Sequence, residues 1–145
     1  MAFIEWNDEL SVGIDLIDRQ HMILVRAINL LAMAVQQNSS NELLSDIFAT
    51  LIDYSDTHFT YEEELFAQFG YPASDEHKAQ HKEMLRRISE LHESWMAGEK
   101  DMGPEVLEFL VSWLREHILK SDKEYSEFLS GALRDAGLGN VVKQE

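Results

Sequence analysis

The chain has 145 residues, 45% of them apolar, which suits one domain with a sizeable core and not a disordered segment. It has no cysteine, which excludes disulfide frameworks, iron–sulfur clusters, thiolate zinc sites and thiol catalysis. Its net charge of −15, from 27 acidic against 12 basic residues, argues against nucleic acid and anionic membrane partners and keeps a soluble protein soluble.

The opening residues lack a basic stretch followed by an apolar run, and no segment approaches the roughly 20 apolar residues needed to span a bilayer. A cytoplasmic location is therefore expected. Residues 1–17, with Phe3, Ile4, Trp6, Leu10, Val12 and Ile14, are too apolar for a loose tail and are expected to form an ordered arm. A first helix is predicted from about Asp18 to Gln37, where His21, Leu24, Val25, Ile28, Leu31, Ala32 and Val35 recur at helical spacing. Asn38-Ser39-Ser40-Asn41 breaks it. A second helix, Asn41 to Phe69, carries Leu44, Ile47, Leu51, Tyr54, His58, Glu62 and Leu65 on one face and stops at Gly70-Tyr71-Pro72. A third runs from about Ser74, read as its N-cap with acids behind it, to Ala97. Gly98 to Gly103 reads as a polar loop, and a fourth helix begins near Pro104, in phase through Val106, Leu110, Trp113, Leu114 and His117. Residues 124–136 can continue as a short helical extension, and 137–145 read as a frayed tail. Four long helices with short links predict a single all-α domain, an antiparallel up-down four-helix bundle. No exposed apolar stripe is legible, so a monomer is expected.

The polar residues that interrupt the apolar stripes carry the chemistry. His21, His58, Glu62, His77, His81 and His117 all fall in phase with core positions, and each helix supplies at least one. Burying them without partners would cost on the order of a few kcal/mol each, whereas a metal satisfies them together. His58 and Glu62, like His77 and His81, are four residues apart and project from one face. His117 and Asp122 are five apart, so if both join the site the helix must widen into a π-bulge or break there. Five imidazoles, two bridging carboxylates and one bridging oxide or hydroxide fall one short of saturating two octahedral ions, so one position stays open. Imidazole and carboxylate donors without thiolate suit iron, zinc, manganese or copper. His92 lies roughly 16 Å beyond His81 along its helix at 1.5 Å per residue, too far to join, and is read as a boundary histidine.

With these residues placed, the chain resembles the hemerythrin family. The matching segments are Trp6-Asn7-Asp8, Ile17-Asp18-Arg19-Gln20-His21, His58-Phe59-Thr60-Tyr61-Glu62-Glu63, His77-Lys78-Ala79-Gln80-His81 and His117-Ile118-Leu119-Lys120-Ser121-Asp122. The resemblance implies two iron ions joined by an oxide or hydroxide. His77, His81 and His117 would hold one, His21 and His58 the other, and Glu62 and Asp122 would bridge. It implies reversible binding of dioxygen at the vacancy on the two-histidine iron, for carriage, storage or delivery. Reversibility needs a dry pocket. Phe59, Trp113, Leu119 and Tyr125 are candidates to line it, with Leu119 expected nearest the oxygen.

Other readings are an oxidase or peroxidase, a sensor of oxygen, redox state or nitric oxide, and a zinc hydrolase. No histidine has Glu three residues before it, as paired ferritin-like motifs would require. A sensor would need a fused signalling domain for which the chain has no room. The site offers too many ligands for a zinc hydrolase and no free general base. A non-enzymatic oxygen binder is the expectation.

Overall fold

The computed structural model describes residues 4–97, 103–139 and 142. The expected polar loop lies almost entirely outside them. An arm leads through a 3-10 turn, Asp8–Leu10, into α1 (Asp15–Gln36), followed by α2 (Asn41–Phe69), α3 (Ser74–Met96) and α4 (Gly103–Glu116). A π-helical turn, His117–Asp122, runs without interruption into α5 (Lys123–Asp135). These elements form the four-helix bundle, with α2 packed between α1 and α3, and α1 also packed on α4. Among the described residues there is no strand, only an isolated antiparallel bridge between Ile14 and Val142.

The helix ends follow local chemistry. Ser40 caps α2 by accepting from the Leu43 N–H at 3.2 Å. Gly70, with φ +70°, takes the left-handed conformation that lets the Tyr71 N–H reach back to the Phe66 carbonyl at 3.0 Å. At the start of α3 the reading shifts by one residue. Ala73 is the N-cap and Ser74 is already helical, because the turn after Pro72 closes with the Ser74 N–H bonded to the Tyr71 carbonyl. Asp75 and Glu76 still face the positive helix end.

The arm is ordered in its described part and shorter than expected, since α1 starts at Asp15. Asn29 holds Ile4 at both its N–H and its carbonyl, at 3.0 and 2.8 Å. The buried Asp18 carboxylate accepts from the Ser11 hydroxyl at 2.6 Å and the Val12 N–H at 2.8 Å. Past α5, Val142 is buried against the arm, a return contact that the reading of 137–145 as a frayed tail did not include.

The core comprises Leu24, Ile28, Leu31, Phe48, Leu51, Ile88, Leu110 and Leu114 among others. The reading that no apolar stripe is exposed fails on α1. Leu16, Ile23, Leu30 and Met33 stand on its outer face, because this helix is apolar on two sides and the inward stripe masks the outward one in the sequence. Among the described residues, no helix is long and apolar enough to cross a membrane.

Candidate metal centre

Four helical segments deliver the site to one level of the bundle: His21 from α1, His58 and Glu62 from α2, His77 and His81 from α3, His117 and Asp122 from the π turn. The five-residue spacing of the last pair is met by the widened turn, with the Lys123 N–H bonded to the Ile118 carbonyl. An α-helix would place those two side chains about 140° apart at 100° per residue. All seven residues are buried, none more than 6% exposed.

Their atoms converge in two overlapping groups. Glu62, His77, His81, His117 and Asp122 each offer a ligand atom within 4.8 Å of the others, and so do His21, His58, Glu62 and Asp122. Both groups share Glu62 and Asp122. Asp122 Oδ1 lies 3.0 Å from His77 Nε2 and 3.0 Å from His117 Nε2, while its Oδ2 lies 3.0 Å from His21 Nε2. Glu62 Oε1 lies 3.3 Å from His58 Nε2, 3.2 Å from His81 Nε2 and 4.0 Å from His77 Nε2.

These contacts are not ordinary ion pairs, because two of the rings are committed on their other nitrogen. His81 Nδ1–H donates to Glu63 Oε2 at 2.9 Å, and His58 Nδ1–H donates to Gln20 Oε1 at 2.5 Å. Each such ring turns an Nε2 lone pair towards the Glu62 carboxylate. Burial, partly offset by Glu62, lowers the His58 pKa to about 4; burial, partly offset by the hydrogen bond to Glu63, lowers that of His81 to about 3. Both are therefore neutral, the form that binds a metal. Acceptor facing acceptor in a dry site is repulsive unless a cation lies between them. The Nε2 atoms of all five histidines, Glu62 Oε1 and both Asp122 oxygens are buried without a hydrogen-bond donor. The donor set fits metal ions.

Asp122 is held well below the carboxylate range. Its burial pushes upward, but His117, His21 and His77 together outweigh that. His117 is raised, because Asp122 overcomes the effect of burial. Tyr125 is fully buried and donates its hydroxyl to Glu62 Oε2. Burial, then the nearby Glu62 charge, lifts its pKa well above the usual phenol value, so it stays a donor.

The four pocket candidates separate. Phe59 is buried and stacks on His81 with ring centres 4.0 Å apart, and Trp113 stacks on His117 at 4.5 Å. Both thus back the group with three histidines. Leu119 is only half-buried beside the fully buried Ile118, and Tyr125 reaches Glu62 directly. His92 is half-buried, 3.2 Å from the Ser45 hydroxyl and stacked on Phe48, away from the cluster.

Sequence reasoning assigned no role to Gln20 or Glu63, each adjacent in sequence to a residue of the cluster. It also missed a small cavity of about 10 Å³ lined by Leu24, Ser55, Met84 and Leu114 together with Trp113 and three further aliphatics. Leu24 lies one turn after His21, Ser55 one turn before His58, Met84 one turn after His81 and Leu114 one turn before His117. The cavity is therefore the next layer of the bundle. Positions three residues from His21, His58, His81 and His117 were the available signal.

Residues 12–129 match the model of the hemerythrin HHE cation-binding domain. A bacteriohemerythrin of Pseudomonas paraeruginosa is 40% identical over 125 residues, covering 86% of this chain and 80% of that protein. One of Clostridium acetobutylicum is 32% identical over 125 residues, covering 83% and 96%. The crystal structure of a wild-type hemerythrin superposes with a TM-score of 0.81 at 29% identity, covering 89% of this chain and 99% of that one. The chain belongs to the hemerythrin family.

Proposed function

We infer that this protein binds dioxygen reversibly at a non-haem di-iron centre and serves to carry, store or deliver it, without acting as an enzyme. The observation that carries the reading is the division of five imidazoles into three and two around a shared pair of carboxylates. Iron bound there would supply a redox-active pair with one open position, on the side with two histidines.

The chain's own residues account for the rest. His77, His81 and His117 would hold one ion, His21 and His58 the other, with Glu62 and Asp122 spanning both and an oxide or hydroxide between. Gln20 and Glu63 fix ring orientation, and Tyr125 holds Glu62 from the far side. The ring stacking of Phe59 and Trp113 and the aliphatic lining of the adjacent cavity exclude water, which favours release of unreduced oxygen over loss of a reduced product. A cytoplasmic setting, without nucleic acid or membrane partners, agrees with the acidic composition.

Metal analysis together with visible absorption of the reduced protein, before and after air, tests this. The expected result is two irons per chain and a charge-transfer band that appears with oxygen and fades under vacuum. Irreversible oxidation would indicate an oxidase or peroxidase instead, and colourless zinc protein would reject the reading.

A further inference from the structure

The outer face of α1 differs from the rest of the surface. Leu16, Ile23, Leu30 and Met33 are 43%, 42%, 52% and 47% exposed, and they are four of the six large exposed hydrophobics among the described residues. Arg19 and Arg26 stand between them, and no exposed position of α1 is acidic, in a chain where acids outnumber bases 27 to 12. The spacing is regular. Leu16, Ile23 and Leu30 are seven residues apart, and Arg19, Arg26 and Met33 follow each by three. That is the a/d seam of a heptad pattern. Scattered apolar surface residues need no explanation, but a seam kept in register over nearly the whole helix does. The bundle does not use it, since the inner face of α1 already packs through His21, Leu24, Val25 and Ile28.

We propose that this face docks an amphipathic helix of a partner protein whose apolar seam is flanked by Glu or Asp. The apolar positions supply burial, and the two guanidiniums, with no exposed acid on α1 to pair them, supply charge complementarity to carboxylates on the incoming helix. A second copy of this chain fits poorly. Pairing α1 with α1 brings four arginines into one interface with no exposed acid from either helix. The other exposed large hydrophobics, Leu43 and Leu138, lie far apart in sequence and make no seam. An anionic bilayer is disfavoured by the net charge of −15. The docked helix would sit roughly one helix diameter, about 10 Å, from the metal centre, because α1 carries His21 on its inner side and Gln20 at its edge.

The test uses full-length, metal-loaded protein and a labelled synthetic helical peptide with leucine at a and d and glutamate flanking them, followed by fluorescence anisotropy at low salt. The expected result is saturable binding that weakens with salt, falls about tenfold or more in Arg19→Glu/Arg26→Glu, and is lost in Ile23→Asp. A peptide with the same seam and lysine flanks should not bind. All three positions are exposed, so far-ultraviolet circular dichroism and metal content should be unchanged in the variants. Absence of binding, equal binding of both peptides, or indifference to the arginine reversal overturns the proposal. A dimer in sedimentation that Ile23→Asp abolishes would overturn it in favour of a second copy. Flotation with phosphatidylglycerol vesicles that the double variant abolishes would overturn it in favour of a membrane.

Discussion

Tyr125 donates its hydroxyl to Glu62 across 63 positions of sequence, joining the last helix to the carboxylate at the middle of the site. Phenylalanine at 125 would keep the packing against Phe66 and His77 and remove only that donor. The expected cost is about 1–3 kcal/mol, since Glu62 Oε2 would be left buried without it. Urea denaturation of the metal-free protein measures this. An unchanged midpoint would show that the hydroxyl contributes nothing to the fold.

Glu63→Gln replaces a carboxylate beside His81 Nδ1 with a neutral amide. The imidazole becomes a weaker donor at Nε2, and metal affinity should fall about 10- to 100-fold. Chelator competition reads the loss directly. His77→Ala should weaken the three-histidine side outright and abolish oxygen binding, while His92→Ala should leave metal content and spectrum intact. Equal losses at His77 and His92 would sink the ligand assignment.

Acid should destabilise the metal-free protein through His58 and His81. Their folded pKa values, about 4 and about 3, lie below the value near 6.5 of an unfolded histidine. The unfolded chain therefore binds protons first, and stability falls as pH drops from about 6.5 towards 3. His117, raised by Asp122, has the opposite sign, and its contribution fades as pH rises through its folded pKa. The double variant His58→Gln/His81→Gln should flatten the acid limb of a plot of unfolding free energy against pH.

Ser55→Leu would fill a cavity of only about 10 Å³. Overpacking of this kind costs about 1–3 kcal/mol. The seven metal-binding candidates remain in place, so two irons per chain should still be found. Oxygen association, followed by stopped flow, should slow. An unchanged rate would show that oxygen reaches the open position by another way.

The bundle was legible because each core stripe keeps helical phase, and the clustered residues were legible because histidines and carboxylates break stripes that are otherwise largely apolar. The π turn was legible for a related reason, since His117 and Asp122 cannot share one face of a regular helix. What escaped depends on contacts between helices. Gln20 reaches from α1 to a ring on α2, and Glu63 reaches from α2 to a ring on α3. Periodicity within one helix carries no trace of either bond. The outward seam of α1 escaped because an inward stripe of similar composition lies on the same residue run. Inside the widened turn Ile118 is fully buried and Leu119 half-buried, an order that α-helical periodicity carried through from α4 does not supply.

That phase shift reaches further along the chain. Every residue after Asp122 is wound relative to α4 as though one extra residue had been spliced in, and Tyr125, Leu129 and Leu133 are buried only in this phase. If this turn relaxed to an α-helix with every residue kept, α5 would rotate by about 100°. Asp122 would swing off the site, Tyr125 would lose Glu62, and Leu129 and Leu133 would turn towards water, all from one change. Removing one residue between Ile118 and Ser121 would instead convert the Lys123–Ile118 bond to the α-helical spacing and leave α5 in its present phase. The extra residue and the widened turn that absorbs it are therefore inherited together or lost together.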